Sequence, residues 1–232
     1  MSARLARAAS SQIQRERTIL SNDESAEGAG TARRRKWLVP SLGATCAVAW
    51  LIAAVDPLDQ GAWILENWLL VAFVIVLFFG HRRLQLSNTS YCLLAAFVML
   101  HIIGAHYTYA QMPAGLWARD YFGFSRNHYD RFAHGAFGFL LVFPVRESLL
   151  RFSGINRRWS YWLAPACILA VSGIFEVMEG GVAEIIAPGE GVAWLGGQGD
   201  EWDAQNDMLA AEVGAFLMIA LVELCERRSR SG

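Results

Sequence analysis

Residues 199–217, GDEWDAQNDMLAAEVGAFL, carry Asp200, Glu201, Asp203 and Asp207 straight into an apolar run that continues to Val222. Whether this stretch is a membrane helix decides the fold. Its uncharged part, Val213 to Val222, is too short to cross a hydrocarbon layer of ~30 Å at ~1.5 Å per residue. It reaches membrane length only as a helix from Asp203 to Cys225, with the acids inside it. Phe132 to Val145 poses the same problem. It becomes a span only if it runs from Asn127 to Leu149, through Asp130, Arg131 and His134.

The rest of the chain supports both extensions. Of its 232 residues 54% are hydrophobic, in long unbroken runs, which is too apolar for an ordinary soluble domain. Trp37 to Val55 carries no formal charge over nineteen positions, Leu84 to Ala118 and Trp159 to Phe175 carry none, and Trp63 to Phe79 is broken only by Glu66. Six spans put seventeen of the twenty Lys and Arg residues on one side and leave Arg119, Arg126 and Arg131 on the other. Because cations in short loops stay cytoplasmic, both termini are expected there. Dropping one span scatters this segregation. The expected fold is therefore an all-α, polytopic membrane bundle of six transmembrane helices over residues 37–226. A flexible cytoplasmic arm, residues 1–36, precedes it, and a cytoplasmic tail, residues 227–232, follows. Cys46, Cys92, Cys167 and Cys225 fall in four different spans, which argues against disulfides and thiolate metal sites. The lipid bilayer is the expected partner, and nothing points to nucleic acid.

On this topology the ionisable residues gather at the outer face. Span three ends in His101, His106, Tyr107 and Tyr109, and span four begins with Arg126, Asn127, His128, Asp130, Arg131 and His134. Span five ends with Glu176, Glu179 and Glu184, and span six begins with Asp200, Glu201, Asp203, Gln205, Asn206 and Asp207. Nine of the 21 acids lie between Glu176 and Glu212, and no Lys or Arg occurs from Trp159 to Glu226. Residues three, four and seven apart share a helix face. Asn127, Asp130 or Arg131, and His134 are thus expected on one stripe, and Asp203 and Asp207 on another, continued by Ala211 and Gly214, whose small side chains allow close helix approach. Such faces must look into the bundle, since a charge facing lipid costs on the order of 3 kcal/mol or more. The loop before span six holds seven glycines between Gly180 and Gly199, which suits either close backbone approach to a ligand or a flexible connection.

Three functions fit such a site. In the first, a membrane protein binds or acts on a lipid or lipid-linked envelope substrate at the outer leaflet. His134, Asp130, Glu176, Asp207 and Asp203 then supply acid, base or ligand groups, and Arg126 and Arg131 hold a phosphate, with Asn127, His128, His106, Tyr109 and Gln205 around it. Carboxylates with a His suit a hard or borderline divalent ion, although no compact signature such as His-Glu-x-x-His is present. In the second, the outer loops bind another envelope component without catalysis, through residues such as Trp194 and Trp202. In the third, Asp and His relay protons or cations across the membrane. Against that, few ionisable groups lie on the cytoplasmic half. His101 reads as a packing histidine.

At RNHYDRFAHGAFGFLLVFPVRE, residues 126–147, and GGQGDEWDAQNDM, residues 196–208, the chain resembles the YjdF family of bacterial inner-membrane proteins. The likeness covers residues 40–226 and implies a multi-pass protein of the bacterial inner membrane, in a family without an assigned activity. DRFAHGAFGF is more distantly similar to a helix start in VanZ-like membrane proteins, which are linked to resistance against teicoplanin-type antibiotics. There Asp130 and His134 match, and Arg131 stands for a Lys. Glu176, Asp207 and Gly214 also match, whereas Glu179 replaces a Gln and Ala211 an Asn.

Overall fold

The structure, a computed structural model, describes residues 37–186 and 198–231. The expected arm at 1–36 and most of the glycine-rich loop, with Trp194, lie outside the described residues. Seven helices and no strands occur among those described. They are α1 (Trp37–Ala53), α2 (Gln60–Leu84), α3 (Asn88–His106), α4 (Pro113–Phe122), α5 (Tyr129–Phe152), α6 (Arg157–Ile186) and α7 (Asp203–Ser231). All packing described below lies within residues 44–231.

Among the described residues, four stretches are long and apolar enough to cross a membrane: Gln60–Gly80, Asn88–His106, Arg157–Ile185 and Asp203–Arg228. Val74, Ile75 and Phe79 on α2, Ile174 and Val177 on α6, and Leu217 and Leu224 on α7 are exposed. In water such faces are a liability, and in lipid they are the expected surface. The chain is thus a helical membrane protein. The two doubtful segments do form long helices that start among their charges. α5 begins at Tyr129 and α7 at Asp203, each with an Asp in its first turn, where a carboxylate meets the positive end of the helix dipole.

Two boundaries differ from expectation. The uncharged run from Leu84 to Ala118 is not one element, because Thr108 and Tyr109 take positive φ angles of 57° and 50° and turn the chain after α3. Pro113 then starts the short α4, which has no counterpart in the expected set. At the other end, residues expected as a tail continue α7 to Ser231, helped by the Arg227–Glu223 ion pair at 2.6 Å, one turn apart.

α5 and α7 form the most extensive helix pair, with α3 and α6 flanking them. A Cβ at Gly138 would lie 1.7 Å from the carbonyl oxygen of Ala211, and one at Gly214 would lie 2.1 Å from that of Gly135. The two backbones therefore touch directly, which only glycine allows at these positions. The end of the bundle far from His134 is closed by two carboxylates. Glu147 accepts from the Ser87 N–H at 2.8 Å and from the Ser87 and Ser90 hydroxyls at 2.9 and 2.5 Å, tying α5 to the N-terminus of α3. Glu226 accepts from the Tyr161 hydroxyl at 2.5 Å and the Arg157 Nε at 2.8 Å, and Arg146 approaches it at 3.3 Å with its guanidinium 4.5 Å from the Tyr161 ring centroid.

Gly138→Val places side-chain atoms inside the α7 backbone and is expected to cost about 3 kcal/mol or more, at the upper end of overpacking penalties. Gly180→Ala meets nothing within 4 Å and should be neutral or gain up to about 1 kcal/mol of helix propensity. Thermal unfolding in detergent micelles compares the two, and equal melting curves would refute the contact.

Candidate functional site

The turn before α5 is built around one amide. Asn127 is 1% exposed; its Nδ2 donates to the carbonyls of Ala110 and Met112 at 3.0 and 3.1 Å, and its Oδ1 accepts from the Tyr129 N–H at 2.9 Å. Such an amide bonding the backbone two residues on is a turn device, and it starts α5 while anchoring the segment before α4. Gly115 faces the same amide so closely that a Cβ would fall 1.9 Å from Oδ1. Asn127 therefore sits before the helix and off the Asp130–His134 stripe on which it was expected. Gln198 completes the pin. Its Oε1 accepts from the Asn127 N–H at 3.0 Å and its Nε2 donates to the Asn127 carbonyl at 2.9 Å, which brings the approach to α7 against the start of α5.

Just inside lies a layer of paired charges. Arg126, 6% exposed, donates to Asp203 at 2.5 Å and approaches Asp200 at 3.5 Å. Arg131 donates to Asp200 and stands 3.7 Å from Asp203. Asp200 also accepts from the Trp202 N–H at 3.0 Å and Asn206 Nδ2 at 3.2 Å. The Trp202 N–H, and then Arg131, hold the Asp200 carboxyl below its usual range. The two arginines expected to grip a phosphate are instead neutralised by this chain's own acids.

One turn deeper the balance changes. His134 Nε2 lies 3.4 Å from Glu176 Oε1 and 3.7 Å from Asp130 Oδ1, and Asp207, 1% exposed, sits beside them. Arg131 Nε approaches Asp207 only to 4.0 Å. His134, Glu176 and Asp207 can each offer one metal-ligand atom within 4.8 Å of the others, and so can Asp130, Asp203 and Asp207. Oε1 of Glu176 and Oδ1 of Asp207 are buried without a hydrogen-bond partner.

Asp130 and His134 also face a cavity of about 890 Å³ between α2, α3, α5 and α6. At one end its wall is polar, with Glu66, His101, Tyr109 and Glu179. Along the rest it is apolar, with Leu70, Phe73, Phe137, Leu141, Ile168 and Val171. The Tyr109 hydroxyl and His101 Nδ1 share a hydrogen bond of 2.7 Å, and Gly104 leaves room for the Tyr109 and Tyr129 rings. Burial, and then the Glu66 carboxyl, push the Tyr109 hydroxyl well above its ordinary range, so it keeps its proton. His101 is buried as expected of a packing histidine, yet its Nε2 has no partner and its ring lines the cavity.

Of the residues singled out from sequence, the structure brings Asp130, His134, Glu176, Asp203 and Asp207 together, with Arg126 and Arg131 over them. It does not bring in His106, whose Nδ1 pairs with the Ala53 carbonyl at 2.9 Å, nor Gln205, which is exposed. His128 packs edge-on against Phe124 at the rim. Sequence reasoning missed Glu66 and Gln198 as site residues. Glu66 had a visible signal, as the single acid in an otherwise apolar span.

The chain belongs to the family described as Predicted membrane protein (DUF2238), which matches residues 39–228. It is 30% identical over 177 residues to the Inner membrane protein YjdF of Escherichia coli (strain K12), an alignment covering 75% of this chain and 84% of that protein. The YjdF-like resemblance and a multi-pass place in the inner membrane are thereby borne out. The more distant likeness to VanZ-like proteins is not shown by these matches. No solved structure matches the chain significantly.

Removing one partner of the paired layer leaves a buried charge, so Asp203→Leu should cost on the order of 3 kcal/mol, and adding Arg126→Met to it should recover part of that cost. A double-mutant cycle on unfolding in detergent measures the coupling. Because the Asp200 carboxyl lies below its ordinary value near 4, its contribution is complete above about pH 4 and disappears as the pH falls below that. Asp200→Asn should flatten this acid limb, and an unchanged pH profile would refute the role.

Proposed function

We propose that this protein binds a lipid or lipid-linked envelope substrate from the outer leaflet of the bacterial inner membrane, with the polar head in the carboxylate and imidazole cluster and the chain along the apolar cavity wall. The six-span topology with both termini cytoplasmic belongs to this reading, since it puts the cluster at the periplasmic face. The observation that carries it is the shape and chemistry of the cavity. A volume of about 890 Å³, polar at one end and apolar along the rest, lies within the range of small-molecule sites and has the division of a lipid. A paired salt-bridge layer alone would explain Arg126, Arg131, Asp200 and Asp203, but leaves the cavity and the deeper acids without a purpose.

In this reading Asp130, His134, Glu176 and Asp207 meet the head group and act as its acid and base groups, while Tyr109 and His101 donate or accept from the cavity wall. Arg126 and Asn127 hold the frame. Arg131, paired with Asp200, closes the polar end over the cluster. Binding without catalysis uses the same cavity, and the two are separated by whether bound lipid is turned over.

Native mass spectrometry of the protein, purified gently and reconstituted in nanodiscs of bacterial lipid, tests the reading. The wild type should retain a defined lipid, and Ala62→Trp, which fills the cavity from α2, should lose it with its melting temperature unchanged. Glu179→Gln should alter which head groups are retained. Equal, unselective lipid retention by all three proteins would sink the reading.

A further inference from the structure

We infer that His134, Glu176 and Asp207 form a three-ligand site for a borderline divalent transition metal, with Zn²⁺ the best fit. Three independent observations converge on it. The first is geometric. Two ligands at ~2.0–2.1 Å from one tetrahedral zinc stand roughly 3.3 Å apart. His134 Nε2 and Glu176 Oε1 are 3.4 Å apart and make no hydrogen bond. The second is polar accounting. Glu176 Oε1 and Asp207 Oδ1 are buried and accept nothing, although Asp207 is 1% exposed. Buried carboxylate oxygens are nearly always satisfied, and a bound ion is one of the few explanations for exceptions.

The third is charge. Asp130, Glu176 and Asp207 share this depth, Glu66 and Glu179 stand close by in the cavity wall, and the nearby guanidinium groups are committed elsewhere. Arg126 binds Asp203 and Asp200, and Arg131 binds Asp200, touching Asp207 only at 4.0 Å. A buried acid among several half-buried ones, with so little fixed positive charge, is costly, and a divalent ion offsets that cost.

The donor set chooses the ion. One imidazole and two carboxylates suit zinc or another borderline metal, whereas Ca²⁺ takes six to eight oxygens and Mg²⁺ usually keeps several waters. The second triad, Asp130, Asp203 and Asp207, is the weaker candidate because Asp203 is held by Arg126 at 2.5 Å. The three ligands come from α5, α6 and α7, and His134 lines the cavity, so a metal held there would stand beside the ligand space. A metal there gives an acid-rich pocket affinity for an oxygen-bearing head group. The metal site goes beyond the lipid reading and does not depend on it.

The test uses the full-length protein in detergent, stripped by chelator and titrated with Zn²⁺ or Co²⁺. About one ion per chain should bind, with saturable visible bands for Co²⁺ and a raised melting temperature for Zn²⁺. His134→Gln and Asp207→Asn should each weaken binding more than roughly 100-fold, since losing even an outer-shell partner costs 10–100-fold. Glu223→Gln, at the opposite end of α7, should bind as the wild type does. No saturable Co²⁺ bands in the wild type, or undiminished binding by both folded variants, overturns the site. If either variant fails to fold, the wild-type Co²⁺ titration alone decides. Lipid retention by metal-free protein is scored separately, so failure of either reading is distinguishable from failure of the other.

Discussion

The contact between α5 and α7 is the constraint from which the site follows. Carbonyl oxygens of Ala211 and Gly135 occupy the space where Cβ atoms of Gly138 and Gly214 would be, which fixes the two helices in both separation and register. In lipid no hydrophobic force drives helices together, and such backbone packing supplies much of the association. His134 directly precedes Gly135, and Asp207 lies one turn before Ala211. Locking the glycines therefore sets His134 and Asp207 side by side. α6, packed against both helices, adds Glu176 at the same depth.

A pair of helices this close must also deal with the charges at its mouth. The chain does so in two steps. At the rim Arg126 and Arg131 are met by Asp200 and Asp203, and the Asn127–Gln198 pairing ties the two entering segments together through their backbone. This closes the mouth and uses up both guanidinium groups. Below it no comparable supply of cation is built in, so the acids there stay available to something brought from outside.

Much of this was legible in the sequence, and what was not has identifiable causes. Acids placed four apart before an apolar run, followed by Ala211 and Gly214, already read as a helix with a polar, close-packing face. Gln205 was misplaced because residues two apart on a helix point in nearly opposite directions, so Asn206 and Asp207 rather than Gln205 follow Asp203 inward. Asn127 was misplaced because its side chain competes for backbone partners and stops helical periodicity before Tyr129. The break after His106 was hidden since it depends on left-handed Thr108 and Tyr109, residues whose identity does not announce that conformation. Arginine pairing across 69 to 77 residues of sequence has no local signal at all.

The two ends of the bundle also serve as an internal comparison. At the far end Glu147 and Glu226, likewise partly buried, are each surrounded by donors: a backbone N–H, serine and tyrosine hydroxyls, and arginines. Those contacts satisfy both carboxylates and hold α3, α5, α6 and α7 in register. Asp200 and Asp203 are satisfied in the same way at the rim. The same chain, with the same means of satisfying a buried carboxylate, leaves Glu176 and Asp207 each with an oxygen that accepts nothing, next to an imidazole and a large cavity. A purely structural use of these acids would resemble the far end. Their difference from it, within one fold, is the physical reason to treat this cluster as a site rather than a clasp.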